Sequence, residues 1–157
     1  MSFKINSLYL SDGYKTSHQK MLAEGTTKLY GTWIPRSTKH APKCITKIVS
    51  FGQQLVWKWL HDEFEENFFF TNKRNNPDNS HRLILYKKQA LQFVKDMSLY
   101  LGMEYDGKHF EELWDLGYLP IKVKALPEGI ETNPNIPHMT FINTVDGFAW
   151  LTLYLET

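Results

Sequence analysis

Apolar residues recur along this chain at two spacings, and each spacing names an element. Leu55, Val56, Trp59, Leu60 and Phe64 return every three or four residues, so they define one face of a helix. Just before it, ITKIVSFG reads as a short strand that turns at Gly52 into that helix. Leu119, Ile121, Val123 and Ala125 alternate with Pro120, Lys122 and Lys124, which predicts a strand with one buried face and one basic face. TTKLYGTWI at 26–34 and HMTFINT at 138–144 supply two further strands, and the PEG between 127 and 129 turns the chain.

Capping residues mark the other helices. Ser11–Asp12 is an N-cap for a helix to about Met21, ending near Gly25. After the polar loop NKRNNPDNS, Ser80 caps a helix to about Leu101, with Gly102 as terminator. A shorter helix over Lys108–Leu116 is closed by Gly117, and Asp146–Gly147 opens a last one, FAWLTLYLET. Asp62, Glu63, Glu65 and Glu66 fall late in the Leu55 helix, where the dipole disfavours carboxylates; that helix should stop early or its acids should find basic partners. There is no internal repeat. A few strands flanked by helices define one α+β domain over residues 1–157. The last helix carries Phe148, Leu151 and Leu155 on an apolar stripe with no closing residue. The expectation is that further polypeptide follows or sits on a partner, and that this stripe, with Trp150 and Tyr154, is exposed without it.

Composition narrows the class. With 42% hydrophobic and 22% charged residues among 157, the chain can bury a small core and is too apolar for disorder. No apolar run reaches membrane-spanning length, and MSFKINSLYL lacks the layout of a secretory signal. Cys44 stands alone, so no internal disulfide forms, and the chain reads as cytoplasmic with no membrane partner. Nine Lys/Arg against Asp12 and Glu24 give residues 1–58 a balance of +7, and the remainder carries −6. A basic segment suits a phosphate-bearing ligand or nucleic acid, although charge alone favours a solvated face. His40, His61, His81, His109 and His138 show no metal-ligand spacing, and no Gly-rich phosphate loop is present.

Four segments, in this order, carry a resemblance: SDGYKTSHQKM, TTKLYGTWIPR, LPIKVKALPEG and NTVDGFAWLTLYLET. They resemble nicotinamide phosphoribosyltransferases, covering nearly all of this chain but only the first third or so of a family member. Between Lys39 and Gly117 the match is one of apolar pattern. Nicotinate-specific relatives share the Asp-x-Tyr opening; Lys15, His18 and LPIKVKALPEG look like the nicotinamide branch. The resemblance implies the N-terminal domain of a type II phosphoribosyltransferase, without the α/β barrel that follows it. It also implies a pentosyl transfer joining nicotinamide to phosphoribosyl pyrophosphate, with Mg²⁺ as cofactor, in homodimers whose sites draw on both subunits.

Three positions carry over from the family. Tyr14 matches the tyrosine that stacks on nicotinamide in the neighbouring subunit's site; read without the family, it would be a core or interface tyrosine. Asp12 matches the acid lining the same pocket, and its N-cap role can coexist with that one. Arg36 matches the arginine that binds diphosphate, for which a guanidinium fork is well shaped. His18, one turn after Tyr14, is placed to buttress it, although a satisfied structural histidine is the first reading of its position. Gly13 stands where many relatives carry Ser, which loosens the backbone beside Tyr14. The family's second stacking aromatic, its catalytic histidine, its base-recognising aspartate, its other phosphate arginines and its ribose-binding acids fall beyond residue 157. No catalytic residue and no metal ligand is therefore assigned here, and the chain alone is expected to be inactive without a complementing C-terminal part. Two rival readings are a stand-alone regulatory module pairing with a full-length enzyme and a single-strand nucleic-acid binder; core-like spacing of the aromatics sets the latter last.

Overall fold

The computed structural model describes residues 6–69 and 79–156, with side chains in the second stretch from Lys88 onward. These residues pack as two compact units. One is drawn from Met1–Glu24 and Leu60–Leu119, the other from Gly25–Trp59 and Pro120–Glu156.

The first unit is helical. A short 3-10 turn, Ser7–Tyr9, is capped by Asn6, whose side chain accepts the Leu8 N–H at 3.0 Å. A second 3-10 helix spans Gly13–Met21, which is where the sequence places an α-helix. Its tight winding has a local cause. Thr16 Oγ1 donates to the Gly13 carbonyl at 2.6 Å and Ser17 Oγ to the Tyr14 carbonyl at 2.7 Å, and both bonds reach back three residues. Helices α2 (Asn79–Leu101) and α3 (Lys108–Leu116) complete the unit, ending where Gly102 and Gly117 turn left-handed. The polar loop expected before α2 lies outside the described residues, apart from its two last backbone positions, and the Ser80 side chain lies outside them too.

Aromatic rings fill the core of this unit. Phe93 meets Tyr9 and Phe110 edge to face, each at 5.2 Å between centroids, and Phe64, Phe68 and Phe69 form a second cluster. The apolar face of α1 (Gln53–Glu63) is corrected by the structure. Leu60 and Phe64 are buried, but Leu55, Val56 and Trp59 face solvent among the described residues. The early stop expected from the late acids does not occur: α1 keeps Asp62 and Glu63 in its last turn, and a π turn over Phe64–Phe68 carries the winding past Glu65 and Glu66.

The second unit is built on an antiparallel sheet. Strands β1 (Tyr30–Trp33), β3 (Ile121–Ala125) and β5 (Met139–Asn143) lie in the order β1-β5-β3, and β2 (Ile48–Val49) pairs with β4 (Glu131–Thr132) in a separate ladder. β5 is central and the most buried of the three, with Phe141 and Asn143 buried and both edges paired. Gly31 sits opposite Phe141, and a Cβ there would lie under 3 Å from its ring, so glycine is required by space.

β1 is shorter than the sequence pattern suggests, and Asn143 is the reason. Its buried amide accepts the Leu29 N–H at 2.9 Å and donates to the Thr27 and Val145 carbonyls at 2.8 Å each. Side-chain bonds thus replace ladder bonds over residues 27–29.

Helix α4 (Ala149–Tyr154) overturns the expectation of an exposed stripe. Trp150, Leu151, Tyr154 and Leu155 are all buried and Phe148 is half-buried, because α4 packs on β5 and β1 of its own unit. The helix closes without a glycine, since Leu155 N–H bonds the Leu151 carbonyl at 3.0 Å. The described residues thus mix helices with antiparallel strands, the α+β class the sequence implies. Among them, no helix is long and apolar enough to cross a membrane.

Candidate functional site

Asp12 and Tyr14 share the entrance to the Gly13–Met21 helix. Asp12 has extended backbone and accepts the Lys15 N–H through its carbonyl at 2.9 Å, so it is the N-cap residue by position. Its side chain makes no capping bond, which corrects that part of the N-cap expectation: a helix of 3-10 pitch satisfies this N–H through the backbone. The Asp12 side chain is exposed.

Tyr14 is 51% exposed while its neighbours Lys15 and Thr16 are buried. A large ring held out of a packed helix has a face to offer. His18 meets that ring edge-on, 5.5 Å between centroids and 64° between planes, so it braces one side of Tyr14. His18 Nδ1 is buried and has no hydrogen-bond partner among the described residues. Gly13 is filled from outside: a Cβ would lie 2.9 Å from the Tyr100 ring, so a serine there would have to displace Tyr100.

Beneath this helix sits a buried pair. Tyr105 Oη and His109 Nε2 are 3.1 Å apart. Burial depresses the His109 pKa to about 4; the Asp106 charge opposes that shift and Lys20 adds to it. Burial likewise raises the Tyr105 phenol well above its usual range, so both groups are neutral near pH 7.

Arg36 belongs to the other unit. It lies exposed three residues past β1, at the head of the loop RSTKHAPK, most of which is exposed. Two backbone bonds hold its approach: His138 N–H donates to the Trp33 carbonyl at 3.0 Å, and Asn135 N–H to the Pro35 carbonyl at 2.8 Å. Cys44 is exposed in the continuation of this loop. Asp12 and Tyr14 therefore stand together on one unit, and Arg36 stands on the second.

Among the described residues, no three His, Cys, Asp or Glu side chains gather closely enough to hold a metal ion.

Sequence reading passed over two residues that shape the sites: Asn135, at φ 66° the only non-glycine with positive φ among the described residues, and Glu128, which binds the start of α1. Asn135 did carry a signal, because it lies between two prolines in NPNIP, a turn-forming run.

No family model matches the chain. A mixed helix-and-strand domain is compatible with the phosphoribosyltransferase resemblance. Comparison with curated proteins agrees: the chain is 40% identical over 161 aligned residues to the nicotinamide phosphoribosyltransferase of Acinetobacter baylyi. That match takes in 100% of this chain and 30% of the relative, so the chain spans under a third of the relative's length.

Proposed function

We propose that this chain is the N-terminal portion of a type II phosphoribosyltransferase that joins nicotinamide to phosphoribosyl pyrophosphate, releasing nicotinamide mononucleotide and pyrophosphate in NAD salvage in the cytoplasm. The observation that carries the proposal is the 40% identity, along the whole chain, to a protein named nicotinamide phosphoribosyltransferase.

The reaction is displacement at an anomeric carbon through an oxocarbenium-like state. The base must lie flat and in line, and the departing pyrophosphate must have its charge met. Tyr14, braced by His18, offers a ring face for the pyridine ring. Asp12 lines the same pocket two residues away, and Arg36 contributes a guanidinium fork for the diphosphate. Mg²⁺, bound with the diphosphate, would supply further charge neutralisation. The remaining groups come from a complementing C-terminal part, with a second copy of the enzyme completing each site.

Grafting provides the test. This chain replaces the matching segment of the Acinetobacter baylyi enzyme, and nicotinamide mononucleotide formation is measured for the graft and for the isolated chain. Turnover by the graft and none by the isolated chain is the expected result. A soluble, folded graft without turnover would contradict the proposal, and turnover by the isolated chain would contradict the incomplete site.

A further inference from the structure

The loop that carries Arg36 is anchored in an unusual way. β1 and β5 pair with Trp33 opposite Met139. Two more residues of that register would set Pro35 opposite Pro137 (33 + 2 and 139 − 2), and proline has no N–H to give. The chain resolves this by leaving the ladder. Ile136 and Pro137 loop out, Asn135 turns back at φ 66°, and its N–H takes the Pro35 carbonyl at 2.8 Å. His138, buried beside Trp33, fixes the other end of the detour through its own N–H and through Thr132 Oγ1, 2.5 Å from its Nε2.

We propose that Asn135 is a positioning residue for Arg36: its left-handed turn supplies the donor that Pro137 lacks and so sets where the guanidinium begins. The diphosphate half of this proposal rests on the reading of Arg36 given above. Asn is suited to the place because it tolerates positive φ better than other non-glycine residues. The bond holds the carbonyl immediately before Arg36, and the arginine is otherwise exposed. Without it the loop would hang from Trp33 alone, and Arg36 would have to be ordered anew each time it met an anion.

The experiment uses the ¹⁵N-labelled 157-residue chain and inorganic pyrophosphate. Backbone order at Ile34 and at residues 36–38 is read from heteronuclear relaxation, and the Arg36 Nε–Hε signal follows titration. Asn135→Gly keeps both the donor and the positive φ and should behave as the parent. Asn135→Pro removes both: residues 34–38 should become mobile and pyrophosphate affinity at Arg36 should fall about three- to tenfold, the cost of ordering one long side chain. Asn135→Val keeps the N–H but resists the turn, and should fall between them even if the proline variant does not fold. Signals from Tyr14 to His18, on the other unit, should not change in any variant. Equal loop order and equal affinity in Gly, Val and Pro variants would overturn the positioning role. A parent chain whose Arg36 signal ignores pyrophosphate while Asn135→Val still loosens the loop would instead overturn the diphosphate reading.

Discussion

The carboxylate of Glu128 accepts the backbone N–H of Gly52 at 2.7 Å, and its other oxygen lies 3.4 Å from the Gln54 nitrogen. Seventy-six residues separate Glu128 from Gly52 in sequence, yet the acid sits where the first turn of α1 leaves its donors unpaired. The surroundings fix it there: Gly129 N–H bonds the Ser50 carbonyl and Ser50 N–H bonds that of Ile130, each at 2.8 Å. Gly52 turns at φ 88° with nothing near its α-carbon, so its conformation, and not crowding, calls for glycine. The LPEG segment that helps carry the family resemblance is therefore a capping device for a distant helix.

Glu128→Ala should lower stability by about 1 kcal/mol, a fall in Tm of roughly 2–4 °C, as loss of a helix cap does. Glu128→Gln keeps an acceptor and should lose less. Thermal melts of the three proteins check this, and identical melting points would show that the cap contributes nothing.

Asn143 should be much less forgiving. Asn143→Ala strands three part-buried groups, the Leu29 N–H and the Thr27 and Val145 carbonyls, and each that water does not reach costs about 1–3 kcal/mol, so the second unit should be clearly destabilised. Asn143→Asp keeps the acceptor but turns an oxygen toward the two carbonyls, and it should rescue little. Urea unfolding monitored by Trp fluorescence would decide: a loss under about 1 kcal/mol for the alanine variant would mean that water replaces the amide.

A pH dependence follows from His109. Its folded pKa, near 4, lies below the ordinary imidazole value of 6.5, so the unfolded chain binds more protons between those values. The contribution to stability is full above pH 6.5 and is lost as pH falls from there toward 4, amounting to about 3 kcal/mol in all. His109→Gln can still bond Tyr105 but does not titrate, so its Tm should fall less steeply across that window. Parallel profiles for the two proteins would contradict a buried neutral His109.

Much of the fold is legible in residue patterns. Lys108–Leu116, the Leu101 end of α2 and the alternation from Ile121 to Lys124 in β3 are all local, set by period and by the glycines that end the helices, whereas Leu119 falls outside β3 and Ala125, expected on its buried face, is exposed. What was not legible is non-local. No pattern in 26–34 announces that Asn143 would replace its ladder bonds, and nothing in FAWLTLYLET tells which surface covers it. The sheet of its own unit does so, through β5 and β1. Conversely, Leu55, Val56 and Trp59 keep perfect helical spacing and still face solvent, because periodicity reports a face and not its partner. At the candidate site, Tyr14 and its neighbour His18 were found through the motif; that the Tyr14 ring stands half-exposed and meets His18 edge-on is visible only in the structure.

If Tyr14 grips the base and Arg36 the diphosphate, steady-state kinetics on the grafted enzyme, with each substrate varied in turn, will separate the two roles. Tyr14→Ala should weaken nicotinamide use, with an aromatic pair worth about 0.5–1.5 kcal/mol beyond its buried area, and leave the KM for phosphoribosyl pyrophosphate nearly unchanged. Tyr14→Phe should be mild. Arg36→Ala should do the reverse, by at least about tenfold, since a charge-assisted hydrogen bond contributes roughly 1.5–3 kcal/mol. Arg36→Lys should restore part of that loss, because a point charge replaces a fork. Both side chains are exposed, so neither change should move the Tm much. Equal losses for both substrates, joined to a large fall in Tm, would mean that these residues hold the fold and that the site lies elsewhere.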